Sequence, residues 1–402
     1  MRLALAFIFL ESHMRTVLTA ARLLTPHTEI EEPVVIMEDG FISSIASRGA
    51  LEVPPNSESM DFPGATLVPS YLDVHTHGAM GHDLMNSNPD GFRSVGKFLA
   101  RHGVGAYLPT TMTAPLESIF RSLDALSKFI EESERSGSDS GARPLGIHLE
   151  GPFLSHEKRG VHPPEDLQVP SVELLQRFWE AARGHILLMT VAPELPGADE
   201  LIRTASGMGI RVSLGHSNAK TTEALRGIAA GAVSATHTFN AMRPLDHREP
   251  GLLAVVLDQA GLFAELICDG IHVDPLLVRL FHRAKCLDRG ILITDAMSAT
   301  GMPDGEYRLG NLDVTVANGR CTREGVLAGS VLTLDKAIRN FVEFTQAPYT
   351  TAVQYASTNP AALTGFSDQY GELASGRAAN ITVLSAAGEV QKVLLNGNIV
   401  TL

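Results

Sequence analysis

The chain has 402 residues, 44% hydrophobic and 19% charged, which allows one large core or two unequal units of an ordinary globular protein. Its formal net charge of −13 argues against nucleic acid or an anionic membrane surface as the main partner, so an anionic small substrate needs a local basic pocket. Three scattered cysteines, Cys268, Cys286 and Cys321, form no disulfide framework and suit a reducing cytoplasm.

The first apolar run, Leu3 to Leu10, is too short to span a bilayer, and no small-x-small cleavage site follows it. "SHM" resembles a cloning remnant, so residues 1–13 are expected to be a tag or non-native leader ahead of a natural start at Met14. Residues 14–68 read as short strands, with an Asp-Gly turn inside "PVVIMEDGFISSIA".

Residues 69–376 alternate strand and helix. Strand-like runs end at "YLDVHTHG", "AYLPTTMT", "LGIHLEGP", "LLMTVAPE", "IRVSLGHS", "VSATHTFN", "AELICDGIH" and "ILITDAMS". Amphipathic candidates such as "LESIFRSLDALSKFIEESER", "ELLQRFWEAA" and "DPLLVRLFHRAKC" lie between most of them, and "EESERSGSDSGARP" is a polar loop. This is the count of a TIM-like (β/α)8 barrel. A doubly wound sheet competes, but neither GxGxxG nor GxxxxGK[ST] is present to support it. Residues 377–402 return to the texture of the start, with "ANITVLS" and an Asn-Gly turn in "EVQKVLLNGNIV". The two ends are expected to assemble a small β-sandwich domain. The Asn380-Ile381-Thr382 sequon falls in a predicted buried strand and reads as chance.

In a barrel, chemistry sits at the C-terminal ends of the strands. His75 and His77 share one face at the end of the first, because side chains alternate along a strand. Glu150 ends the third strand, His216 the fifth, His237 the sixth and Asp295 the eighth. Each alone has an ordinary reading: a surface turn, a hydrogen-bonded loop histidine, a helix N-cap for Asp295. Accidents at five strand ends are less plausible than one shared site. Imidazoles with a carboxylate suit Zn²⁺, with Fe²⁺ or another first-row divalent ion as alternatives. Such an ion lowers the pKa of bound water from 15.7 to ~7, which makes metal-assisted hydrolysis the reaction class. Asp295 is not needed to complete the ligand set and is free to carry a proton.

The motifs "PSYLDVHTHG", "GIHLEGPFL", "KRGVHPPE", "SLGHSNA", "ATHTFNAM", "REPG", "CDGIHVDP", "TDAMSATG", "LAGSVLTL" and "NPAALTG" occur in this order along nearly the whole chain from Met14. In them the sequence resembles the amidohydrolase superfamily, and within it the family of N-acetylglucosamine-6-phosphate deacetylases. Many superfamily members bridge two metals with a carbamylated lysine. Here Glu150 stands at that place, as in the deacetylase branch, where the glutamate is a ligand. Some of that branch lack HxH and hold one metal. This chain has both His75 and His77, so the resemblance implies one or two ions per subunit.

The resemblance further implies that His162 in "RGVHPPE" polarises the acetyl carbonyl. It implies that Val161, Asn240, Ala241, His272 and the stretch Leu327, Ala328, Gly329 line the phosphosugar site. Arg248 in "HREPG" would bind the 6-phosphate across the interface of a homodimer, whereas Arg243 reads better as part of a solvated loop. The expected reaction releases acetate and glucosamine 6-phosphate, with Asp295 shuttling the proton, in a cytoplasmic enzyme of amino-sugar catabolism. Another amidase or deaminase of the superfamily would share the metal site but leaves "HREPG" and "DGIHVDP" unexplained. A non-catalytic scaffold would be expected to lack a ligand, and none is missing.

Overall fold

The computed structural model describes residues 15–136 and 141–400. The expected leader, the start at Met14 and the middle of the polar loop after Ser136 lie outside the described residues.

Eight parallel strands form at Tyr71–Thr76, Val104–Thr111, Ile147–Glu150, Ile186–Val191, Arg211–Leu214, Ala232–Ala235, Phe263–Ile267 and Gly290–Ile293. They are the eight runs expected from the sequence, each paired with the next in chain order. The eighth meets the first through a parallel bridge between Thr76 and Ala296 and a 2.9 Å bond from the Asp295 N–H to the His75 carbonyl. A 2.6 Å bond from the Thr294 hydroxyl to Asp73 Oδ2 reinforces the seam. The ring is thereby nearly closed, and a doubly wound sheet is excluded.

The outer helices form where apolar residues recur at helical spacing. The helix Leu116–Ser136 turns Ile119, Leu123, Leu126, Phe129 and Ile130 inward, a single stripe along its length. The helix Pro275–Lys285 starts where Asp274 accepts a 2.7 Å bond from the Leu276 N–H and proline takes the first helical position.

Both termini build a second unit, one mixed hydrogen-bonded sheet. Its long strand Glu58–Pro69 runs parallel to Arg15–Leu24 on one side and antiparallel to Ile381–Leu384 on the other. Leu18, Val35, Ile42, Leu67, Ile381 and Leu394 fill its separate core. A division of the chain near residues 68 and 377 is a proposal that this layout supports. Ser70 alone separates Glu58–Pro69 from the first barrel strand. Asn380 of the sequon is buried and donates to the Gln369 carbonyl at 3.0 Å.

One element has no counterpart in the sequence reading. Four antiparallel strands, Gly305–Leu309, Leu312–Ala317, Arg320–Arg323 and Val326–Leu327, form a small sheet after the eighth barrel strand. The second of them, Leu312–Ala317, alternates buried and exposed residues, the mark of a sheet with one solvated face. Among the described residues no helix is long and apolar enough to cross a membrane.

Candidate metal centre

The barrel brings Glu150, His216, His237, His75, His77 and Asp295 to one rim, all buried. Glu150 is the hub. Its Oε1 lies 3.2 Å from His216 Nε2 and 3.1 Å from His237 Nε2, and those two nitrogens are 3.0 Å apart. On the other side its Oε2 lies 3.3 Å from His77 Nε2, which is 3.3 Å from both His75 Nε2 and Asp295 Oδ1. Two groups bound ~2.1 Å from one ion sit ~3.0–3.4 Å apart in tetrahedral or octahedral geometry. Both sets of distances match that spacing.

The ring nitrogens facing away from the rim show why a cation belongs there. His216 Nδ1 is 2.9 Å from the Lys158 carbonyl, and His77 Nδ1 is 3.2 Å from the Thr110 carbonyl. A carbonyl only accepts, so both Nδ1 atoms donate. His75 Nδ1 likewise faces the Glu265 carboxylate at 3.1 Å. In the neutral rings three Nε2 lone pairs therefore point at two carboxylates, an arrangement that repels itself until a positive charge enters. The pull on protons shows the same thing. Burial disfavours a charge on His77, yet hydrogen bonds to Asp295 and Glu150 outweigh it and raise the pKa to about 9. Buried clusters of His with Asp or Glu, among them His75, His77 and Asp295, have donor atoms close enough together to hold a divalent ion.

Strand-end backbone aims these groups. His216, His237 and Asp295 have φ of 46°, 28° and 50°, left-handed values that cost non-glycine residues ~1–3 kcal/mol each. Gly151, just after Glu150, also has positive φ, and a Cβ there would lie 2.3 Å from the Thr113 hydroxyl. Only glycine lets the chain turn away so soon after the carboxylate.

Two groups differ from the rest in protonation. Burial works to raise the Asp295 pKa, but the charges of His75 and His77 win and hold it at about 2, so it is an anion at neutral pH. His162 is pushed down to about 3, first by burial and then by His216, and is neutral. The Thr113 N–H donates to His162 Nδ1 at 3.2 Å, so the ring proton sits on Nε2, 3.7 Å from Glu150 Oε2.

A cavity of about 380 Å³ opens over this rim. Of the residues expected to line it, His162, Val161, Asn240, Ala241, His272, Leu327 and Gly329 do so, together with Glu150, His77, His216, His237 and Asp295. His75 and Ala328 do not reach the wall: each is buried behind it. Arg248 lies elsewhere, exposed on the loop 243–249, where Asp246 Oδ1 accepts 2.8 Å bonds from the backbone N–H groups of Arg248 and Glu249. Arg243 on that loop is paired with Glu249 at 3.1 Å.

The cavity wall also holds Lys158, Met112, Leu309 and Val326, none of them expected there from the sequence, and the last two come from the four-stranded insertion. Nor were His148 and Glu265, the buried floor, expected from the sequence. His148 Nε2 is 2.8 Å from the Thr190 hydroxyl, and its ring packs edge-on against His75. An acidic residue inside an apolar strand, as in "AELIC", was the available signal.

The amidohydrolase family model matches residues 66–400. An N-acetylgalactosamine-6-phosphate deacetylase of Escherichia coli O157:H7 is 36% identical over 96% of this chain and 99% of its own length. An N-acetylglucosamine-6-phosphate deacetylase of Vibrio furnissii is 36% identical over 91% of this chain and 90% of its own. Among solved structures, a mutant N-acetyl-D-glucosamine-6-phosphate deacetylase of Mycobacterium smegmatis in complex with N-acetyl-D-glucosamine-6-phosphate has a TM-score of 0.89. It is 31% identical to this chain and covers 97% of it, with all of its own length matched.

Proposed function

The chain belongs to the amidohydrolase family, in the branch of amino-sugar-6-phosphate deacetylases, and from this we infer that it hydrolyses the N-acetyl group of N-acetylglucosamine 6-phosphate to acetate and glucosamine 6-phosphate. The observation that carries the reading is one cavity holding the Glu150–His216–His237 cluster, an ionised Asp295 and a neutral His162 beside Asn240, Ala241 and His272.

Glu150, His216 and His237 would hold one ion, and His75 and His77 a second. Zn²⁺ suits the donor set best, with Fe²⁺ or another first-row divalent ion as alternatives. When bound, such an ion supplies Lewis acidity and acidifies water. The residues do the rest. Asp295 accepts a proton from the attacking water as its oxygen bonds to the acetyl carbon. His162 donates Nε2–H to the carbonyl oxygen as charge grows there. Asp295 then returns its proton to the amine nitrogen as the C–N bond breaks, so one water is consumed and the carboxylate regenerated. His272 is fixed for sugar contact by Asp269, whose carboxylate accepts from its Nδ1 at 2.6 Å and from its backbone N–H at 2.7 Å. Three unpaired cysteines, one of them exposed, suit the cytoplasm, where we place the enzyme.

The Escherichia coli relative favours a second reading, the galacto epimer as substrate. Acetate release from both phosphosugars, measured beside elemental analysis of the purified protein, tests both. Acetate from neither sugar with metal present would remove the assignment.

The 6-phosphate needs a cation, and Arg248 is exposed, outside the cavity of its own subunit, with its guanidinium in no ion pair among the described residues. Its delivery to the neighbouring subunit of a homodimer is what the family resemblance implies, and the exposed position leaves the side chain free for it. Arg248→Ala is expected to cost ~2–5 kcal/mol in kcat/KM on the phosphosugar, the range for truncating one partner of a buried charge pair. Unphosphorylated N-acetylglucosamine should lose little. Mixing Arg248→Ala with Asp295→Asn protein should restore activity, since one site of each heterodimer keeps both native residues. An unchanged preference for the phosphosugar sinks the phosphate role, and failure to complement sinks the cross-subunit part.

A further inference from the structure

Glu265 is a buried carboxylate that the reaction outlined above does not use. It stands in the seventh barrel strand, 0% exposed, below the rim. Its Oε2 meets two N–H groups at once, His75 Nδ1 at 3.1 Å and the backbone nitrogen of His237 at 3.2 Å. Its Oε1 is buried and has no hydrogen-bond partner among the described residues. One oxygen thus serves a ring on the first strand and the main chain just past the sixth.

Each contact has a consequence for the rim. A histidine offers either nitrogen to a metal, and what the other nitrogen bonds decides which. A carboxylate at Nδ1 makes that atom the donor and leaves the Nε2 lone pair facing His77, Glu150 and Asp295. It also makes the ring a stronger donor to a cation. His148, which packs edge-on against His75, cannot substitute. Its Nδ1 is 3.2 Å from the Val74 carbonyl and its Nε2 2.8 Å from the Thr190 hydroxyl, so both nitrogens are committed elsewhere. At His237 the contact pins a backbone with φ of 28°, and through it the aim of Nε2 toward Glu150.

The geometry points to Glu265 as a positioning residue for both halves of the metal centre, fixing the tautomer of His75 and the backbone of His237 with one carboxylate oxygen. This rests on reading His75 and His237 as ligands. The test compares the unsubstituted protein with His75→Ala, Glu265→Gln and Glu265→Leu. Zn²⁺ affinity is measured by competition with a chromophoric chelator, and the His75 tautomer by nitrogen NMR after metal removal. Glu265→Gln keeps an acceptor but loses the charge and should weaken Zn²⁺ binding about tenfold, with His75 still protonated on Nδ1. Glu265→Leu should weaken it about a hundredfold and release the ring to mixed tautomers. Unchanged affinity in Glu265→Gln overturns the proposal, and so does a fixed Nδ1–H tautomer in Glu265→Leu. If the leucine variant does not fold, the glutamine variant decides alone. Unchanged Zn²⁺ binding in His75→Ala overturns the ligand reading on which the proposal stands, which keeps the two failures apart.

Discussion

Asp295→Asn is expected to lower kcat by ~10²–10⁴-fold, the worth of a positioned acid–base group, while the ion at Glu150, His216 and His237 stays bound. The substitution is nearly isosteric and leaves the backbone seam intact, because the 2.9 Å bond to the His75 carbonyl comes from the main-chain N–H. What changes is charge and proton capacity. As a carboxylate Asp295 can take a proton and give it back, whereas an amide can do neither. It sits 3.3 Å from His77 Nε2 and 3.5 Å from His75 Nε2, so its loss also removes negative charge beside that pair. Acetate release and elemental analysis on the same sample separate the two effects. Near-normal turnover would mean that another group moves the proton.

His216→Ala should show the opposite signature, with bound metal and activity disappearing together. The cluster of Glu150, His216 and His237 is the tighter set, with its three mutual distances all between 3.0 and 3.2 Å. Removing a direct ligand should weaken binding by more than the ~10–100-fold that loss of an outer partner costs. His237→Ala is expected to behave alike. Full metal content after dialysis in either variant takes that residue out of the ligand set. Read together, Asp295→Asn as a loaded but slow enzyme and His216→Ala as an emptied one distinguish moving a proton from holding a cation.

The rim was legible in the sequence because a barrel forces its chemistry to the C-terminal strand ends. His75, His77, Glu150, His216, His237 and Asp295 all stand where apolar runs stop, and the eight runs match the eight observed strands. Glu265 and His148 left a fainter trace, a single acidic residue in the apolar run "FAELI" and a histidine two positions before Glu150 on the same strand face, and neither ends a strand, where a barrel places its chemistry. The four-stranded insertion was hidden for a different reason. "LDVTVANGRCT" carries the alternation and the Asn-Gly turn of a hairpin, but a count of eight βα units left no place for it. Arg248 could be placed only through the family resemblance. A charged side chain on an exposed loop has no physical signature of a partner subunit in its own chain.

The single-residue junction at Ser70 makes the two units one mechanical object. The Ser70 N–H donates to the Asn380 carbonyl at 3.0 Å, and the next peptide, at Tyr71, bonds to the Gly103 carbonyl at 2.9 Å. Thr382, on the strand that flanks Glu58–Pro69, reaches the same Gly103 carbonyl through its hydroxyl at 2.9 Å. Five residues beyond Ser70 stands His75. Fraying of the far C-terminal strands is therefore expected to loosen the strand that carries His75 and leads into His77. Melting should be one cooperative transition whose midpoint rises with bound Zn²⁺, because an ion that binds only the native form draws the whole equilibrium with it.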